Sequence, residues 1–91
     1  MKNLIYPAIF HKESEYYWVE FPDLEGCQSF ADTLEEIYYS AKEALTGYLL
    51  TLIQIDKKIP IPSDIFCIEV PMGAFIFLVK SEIINKELVN D

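Results

Sequence analysis

The sequence predicts an α+β domain of order βββαβ: an antiparallel three-stranded meander, a crossover helix and a final strand. Three observations lead there. Two aromatic-rich segments, residues 4–11 and 16–21, are joined by Lys12-Glu13-Ser14-Glu15, a polar connection of hairpin length. Apolar residues at 34, 37, 38, 41, 45, 48, 49, 52 and 53 then recur every third or fourth place, the period of one helix face. Finally, an apolar run returns at 74–81 after a proline-containing connection. The 91 residues make one domain, and a chain of this size buries roughly 60–65% of its unfolded surface.

Each element has a local cause. In Leu4 to His11, Leu4, Tyr6, Ala8 and Phe10 alternate with Ile5, Pro7 and Ile9, and Pro7 removes a ladder donor, so this strand needs a free side or a bulge there. In Tyr16 to Phe21, Tyr17, Val19 and Phe21 alternate with Tyr16, Trp18 and Glu20. Pro22-Asp23-Leu24-Glu25-Gly26 reads as a turn in which Pro sets φ and Gly26 takes a positive one, and a short strand, Cys27 to Ala31, follows. Thr33-Leu34-Glu35-Glu36 is a capping box, with the Thr33 hydroxyl and the Glu36 carboxylate expected to satisfy reciprocal backbone donors. The helix it opens runs to about Ile55, weakened at Gly47 by roughly 1 kcal/mol relative to Ala. Lys57 and Lys58 suit its C-terminal end, and Pro60 and Pro62 stop it. Ile65 to Val70 reads as a short strand and Ala74 to Ser81 as a clearer one, whose continuous apolar character implies burial on both faces or pairing within a larger assembly. If that strand lies parallel to an earlier one, the crossover should be right-handed.

Charge narrows the function. Fifteen acidic residues stand against seven lysines and no arginine, a formal net charge of −8. Phosphate backbones repel such a chain, so direct nucleic-acid binding is not expected, whereas a basic protein partner is favoured by the field. Cys27 and Cys67 form no CxxC pattern, and two Cys with one His make no zinc cluster without carboxylates. No signal-peptide core or membrane-length apolar run is visible, which places the chain in the cytoplasm with both thiols reduced, small and buried.

Taken in order, Tyr6-Pro7-Ala8-Ile9, Tyr17-Trp18-Val19-Glu20-Phe21-Pro22-Asp23-Leu24-Glu25-Gly26-Cys27, Asp32-Thr33-Leu34-Glu35-Glu36, Ala41-Lys42-Glu43-Ala44-Leu45, Tyr48-Leu49 and Ile59-Pro60-Ile61-Pro62-Ser63 resemble the N-terminal domain of HicB antitoxins. The resemblance covers residues 3–81 and leaves 82–91 as a C-terminal tail or short helix. It implies a partial RNase H-like fold and the antitoxin role in a type II toxin-antitoxin system. The partner it implies is a HicA-type toxin, a small basic mRNA-cleaving protein with a catalytic His. Many such antitoxins append a helix-turn-helix or ribbon-helix-helix domain; the present length is expected to leave no room for one, so operator binding is not carried over.

Nuclease chemistry does not come with the fold resemblance. RNase H-type enzymes gather carboxylates from the first strand, the helix and a later strand around two metals. Here residues 4–11 and 74–80 hold no Asp or Glu, and Glu35, Glu36 and Glu43 read as cap and solvated helix face. His11, the sole histidine, ends a strand with no nucleophile motif beside it, and Gly26, Gly47 and Gly73 are isolated, so no phosphate loop exists. No catalytic residue, metal site or cofactor is therefore assigned. Trp18, with Tyr16 and Tyr17, reads as core, oligomer interface or aromatic anchor. Glu20, Asp23 and Glu25, which bracket the turn before Cys27, read as a solvated loop or as a docking point for an electropositive surface. Trp18, Glu20, Asp23 and Glu25 are thus the partner-binding candidates, and Thr33, Glu36 and Gly26 the structural ones. Two other functions stay open: an interaction and oligomerisation module of a larger transcriptional regulator, or an orphan ligand-binding scaffold.

The aromatic hairpin and the Phe75 to Val79 run exceed what one helix covers, which favours a homodimer or higher oligomer. Light scattering at micromolar concentration is expected to report at least a dimer, and a monomer mass would overturn this.

Overall fold

In the computed structural model, which describes residues 4–83, the chain runs β1 (Ile5–Lys12), β2 (Tyr17–Glu20), β3 (Gln28–Ala31), α1 (Leu34–Gln54), a 3-10 turn (Ile65–Cys67) and β4 (Phe75–Lys80). The described strands form one antiparallel sheet in the order β3-β2-β1-β4. β1 is therefore a central strand, and α1 carries the chain across one face from the β3 edge to the β4 edge. β4 runs antiparallel to β1 and so parallel to β2, but α1 connects it to β3, to which it is antiparallel, so the handedness rule for parallel crossovers does not bear on this connection.

Pro7 fits a central strand because of register. The Ser81 N–H donates to the Leu4 carbonyl (2.8 Å), so by alternation residues 4, 6 and 8 turn their main-chain groups to β4, and 5, 7 and 9 theirs to the β2 side. The β1–β2 ladder starts only at Ile9 opposite Glu20, so the N–H that Pro7 lacks would have faced the space beyond β2. Residues 21–27 then make two successive turns: the Leu24 N–H donates to the Phe21 carbonyl and the Cys27 N–H to the Leu24 carbonyl, both at 3.0 Å. Gly26 sits third in the second turn at φ +82°, the value that favours glycine.

The helix starts as predicted at Thr33, whose hydroxyl accepts the Glu36 N–H at 3.1 Å. The other half of the box is not made: the Glu36 carboxylate lines a surface groove instead of closing on the Thr33 N–H. The helix end differs from the expected proline stop. Asp56 at φ +60° lets its own N–H reach the Ile53 carbonyl (3.1 Å) and the Lys57 N–H reach the Leu52 carbonyl (2.8 Å). This is a Schellman motif with Asp in the usual glycine place, and it ends α1 before Pro60 is reached.

The core lies between α1 and the facing sheet surface. Ile37, Ala41, Leu45 and Leu49, spaced by four, join Tyr6, Ala8, Phe10, Val19, Phe21, Leu24, Cys27, Val79 and Ile83 in one buried cluster. Leu34 and Tyr38, in the same periodic pattern, fall outside it and are exposed.

Two expectations are corrected. Ile65 to Val70 contains a 3-10 turn rather than a strand, because the Asp64 carboxylate accepts the Phe66 N–H (2.9 Å) and satisfies locally a donor that a ladder would need. Cys67, carried on that turn, is consequently exposed, while Cys27 is buried as expected. The apolar run of β4 is not buried on both faces by its own chain. As an edge strand at the far side of the sheet, it buries Val79 but leaves Phe77 and Leu78 about half exposed. Of the expected tail, Glu82 donates its N–H to the Thr46 hydroxyl (3.0 Å) and Ile83 is buried; residues 84–91 lie outside the described residues.

Leu45→Ala, at a fully buried site in the middle of α1, is expected to lower the unfolding free energy by about 2–5 kcal/mol. Leu34→Ala, at an exposed site, is expected to change it by less than about 0.5 kcal/mol, and denaturant melts compare the two.

Candidate functional site

The hairpin register builds one polar cluster on the sheet face away from the helix. His11 stands directly opposite Trp18, and their rings stack with centroids 3.9 Å apart and planes 7° apart. Glu20, opposite Ile9 and therefore diagonal to His11, places Oε2 at 2.8 Å from His11 Nε2. The Trp18 indole N–H donates to Glu13 Oε2, also at 2.8 Å. His11 is only 15% exposed in its side chain, so it is a cross-strand clamp rather than a loosely placed strand end. No hydroxyl or thiol bonds to it among the described residues, and no group of three or more His, Cys, Asp or Glu among them is placed to hold a metal ion.

The other two partner-binding candidates sit elsewhere. Asp23, in the turn beyond β2, accepts the Ser63 N–H (2.9 Å) and the Ser63 hydroxyl, which pins the connection between α1 and the 3-10 turn to the sheet. The Tyr6 hydroxyl donates to the Pro60 carbonyl in the same connection. Burial, and secondarily the charge of Asp23, hold the Tyr6 phenol above its ordinary pKa, so it stays a donor there. Glu25 contributes its backbone carbonyl to the Tyr48 hydroxyl (2.9 Å), and the residue is otherwise exposed. Thus the structure brings Trp18 and Glu20 together, commits Asp23 to a structural clasp, and leaves Glu25 apart. Thr33 and Gly26 act in the cap and turn as described.

A further surface includes none of the four partner-binding candidates. Glu15, Tyr16, Phe30, Ala31, Asp32, Glu36 and Ser40 line an open groove of about 790 Å³ that runs from the β1–β2 connection along the end of edge strand β3 to the first half of α1. The rings of Tyr16 and Phe30 lie 6.1 Å apart, and Phe30 is 60% exposed. Three carboxylates flank them. The available signal was the placement of Tyr16, Trp18 and Phe30 on one sheet face, which the hairpin pattern contains but which requires the β2–β3 register to read.

Comparison with known proteins gives a consistent result. The family model described as HicB-like antitoxin of bacterial toxin-antitoxin system matches residues 6–71. An uncharacterized 14.9 kDa protein from the rep-hol intergenic region of Haemophilus phage HP1 is 35% identical over 57 residues, 63% of this chain and 43% of that protein. The chain's match thus spans less than half the length of that relative. Among solved structures, a chain of a toxin-antitoxin complex from Streptococcus pneumoniae superposes with a TM-score of 0.81 at 23% identity, over 89% of this chain and 70% of that one. A chain of the HicA3 and HicB3 toxin-antitoxin complex gives 0.71 at 27% identity, over 87% of this chain and 99% of that one.

The two thiols are expected to react differently. Cys27, buried with Sγ 3.6 Å from the Ala44 carbonyl, has its pKa pushed up to about 11 by burial, so near neutral pH it remains a protonated thiol. Mass spectrometry after iodoacetamide treatment should show Cys67 modified in the native protein and Cys27 only after unfolding.

Proposed function

The chain belongs to the HicB-like antitoxin family of bacterial toxin-antitoxin systems, and from that premise we propose that it binds a HicA-type toxin and covers the surface with which that toxin cleaves mRNA. The observation that carries this reading is the family match over residues 6–71, which contains the three-stranded meander, the whole of α1 and the clasped connection after it. The similarity to a chain of the HicA3 and HicB3 complex supports the choice of toxin.

Inhibition on this reading is stoichiometric occlusion and needs no catalysis; antitoxins of this family are non-catalytic. β1 and β4 carry no carboxylate that would complete a two-metal nuclease site. The formal charge of −8 attracts a basic RNA-binding surface and raises the association rate, while buried apolar anchors supply most of the affinity. The setting is the cytoplasm, where a toxin that cleaves mRNA acts. A homodimer is part of the reading, supported by the half-exposed Phe77 and Leu78 on edge strand β4. A second reading, the same domain serving a longer regulator, is favoured by the greater length of the phage relative.

Mixing the purified chain with its cognate HicA-type toxin is expected to give a complex that co-elutes on gel filtration and to bring RNA cleavage to background at stoichiometric amounts. Undiminished cleavage with an excess of folded chain would overturn the proposal.

A further inference from the structure

We propose that the groove between the end of β3 and the first half of α1 is where the toxin docks, and that it receives a lysine- or arginine-bearing segment of it; the identity of this partner rests on the functional reading above. Two kinds of lining group converge there. Tyr16 and Phe30 are 40% and 60% exposed and form an aromatic floor, with their rings 6.1 Å apart. Glu15, Asp32 and Glu36 rim the floor with three carboxylates, and among the described residues no lysine or histidine lines the groove. The ion pairs found among the described residues, His11 with Glu20 and Lys42 with Glu82, use none of these three.

A long basic side chain matches both features at once. Its aliphatic stem covers an aromatic ring while its charged head reaches a carboxylate, and over a ring face the cation gains a further electrostatic attraction. The nearby N-terminus of α1 carries about half a positive charge, too little to cancel three carboxylates. A second copy of this acidic chain would bring like charge to the rim.

Three of the four partner-binding candidates fit this partner less well because their polar groups are already engaged. Glu20 pairs with His11, the Trp18 indole N–H with Glu13, and Asp23 with Ser63. A partner using them must first break bonds within the chain. The β4 edge is apolar with Lys80 at its end, and the nearby Glu82 already pairs with Lys42. In the groove, the carboxylates are unspent and the aromatic rings are open to solvent.

The test uses the full chain and a cleavage-inactive form of the cognate HicA-type toxin, with affinities read by calorimetry. E15K/D32K and Y16S/F30S alter exposed side chains, and each is expected to weaken binding at least about tenfold. E43K/E69K makes the same charge change at exposed sites outside the groove and is expected to change affinity less than about threefold. Groove variants that fold and bind like the wild type, or a loss equal to that of E43K/E69K, overturn the groove while leaving the antitoxin reading intact. A wild-type chain that fails to bind the toxin removes the reading and the groove's partner together. Amide shift mapping on the wild type, which needs no variant to fold, should centre on residues 15–16, 30–32 and 36–40. Perturbations centred on Phe77 and Leu78, or on Trp18, overturn the groove as the docking surface.

Discussion

Tyr6, Ala8 and Phe10 on one face of the central strand β1 meet the Ile37, Ala41, Leu45 and Leu49 row of α1 in a single buried cluster, and the rest of the fold depends on this contact. β1 is paired on both sides, to β2 through the hairpin and to β4 across the crossover. Side chains alternate strictly along a strand, so a slip of one residue would send Tyr6, Ala8 and Phe10 to the opposite face and put Pro7 and Ile9 against the helix. The same register excuses Pro7, whose missing donor falls beyond the end of β2. The Tyr6 hydroxyl extends the constraint outward by holding Pro60, next to the Asp23 clasp on Ser63.

The two sheet edges differ in their chemistry. An unpaired edge strand invites further pairing, and proteins ordinarily shorten, cover or charge it. β3 is short, at four residues, and its end is bordered by Asp32 and Glu36 together with Glu15. β4 is longer and apolar, with Phe77 and Leu78 half exposed and Lys80 as its single charge. An acidic edge with open aromatic rings and an apolar edge with almost no charge present different chemistries, and they fit different partners.

Carboxylates here divide into those that hold the fold and those left to the solvent. Glu20, Glu13, Asp23 and Asp64 each accept a bond within the chain. Glu15, Asp32 and Glu36 converge on the groove without a cation among the described residues. The net charge of −8 is therefore not spread evenly in its effect: part of it is spent on turns and cross-strand clamps, and part is available to steer a basic partner.

What the sequence by itself determined lies within a few residues of its cause. Thr33 caps the helix through the Glu36 N–H, Gly26 takes its positive φ in the turn, the polar segment after Lys12 closes the hairpin, and the three-and-four spacing puts Ile37, Ala41, Leu45 and Leu49 on one face. The order of recurring segments was enough to carry the family resemblance as well. Tertiary structure alone decided that β4 pairs with β1 and that Asp23 holds Ser63 forty positions away. It also separated Trp18 and Glu20 from Asp23 and Glu25. The Asp56 helix stop and the Asp64 turn that exposes Cys67 have local causes instead, positions at which an Asp takes a backbone role usually given to glycine or a helix cap. The groove is the clearest case, since residues 15–16, 30–32 and 36–40 meet only once β3 has paired with β2 and α1 has crossed the sheet. Caps and turns are chosen by backbone chemistry within one turn of chain, whereas a surface made from three elements exists only after packing has fixed their register.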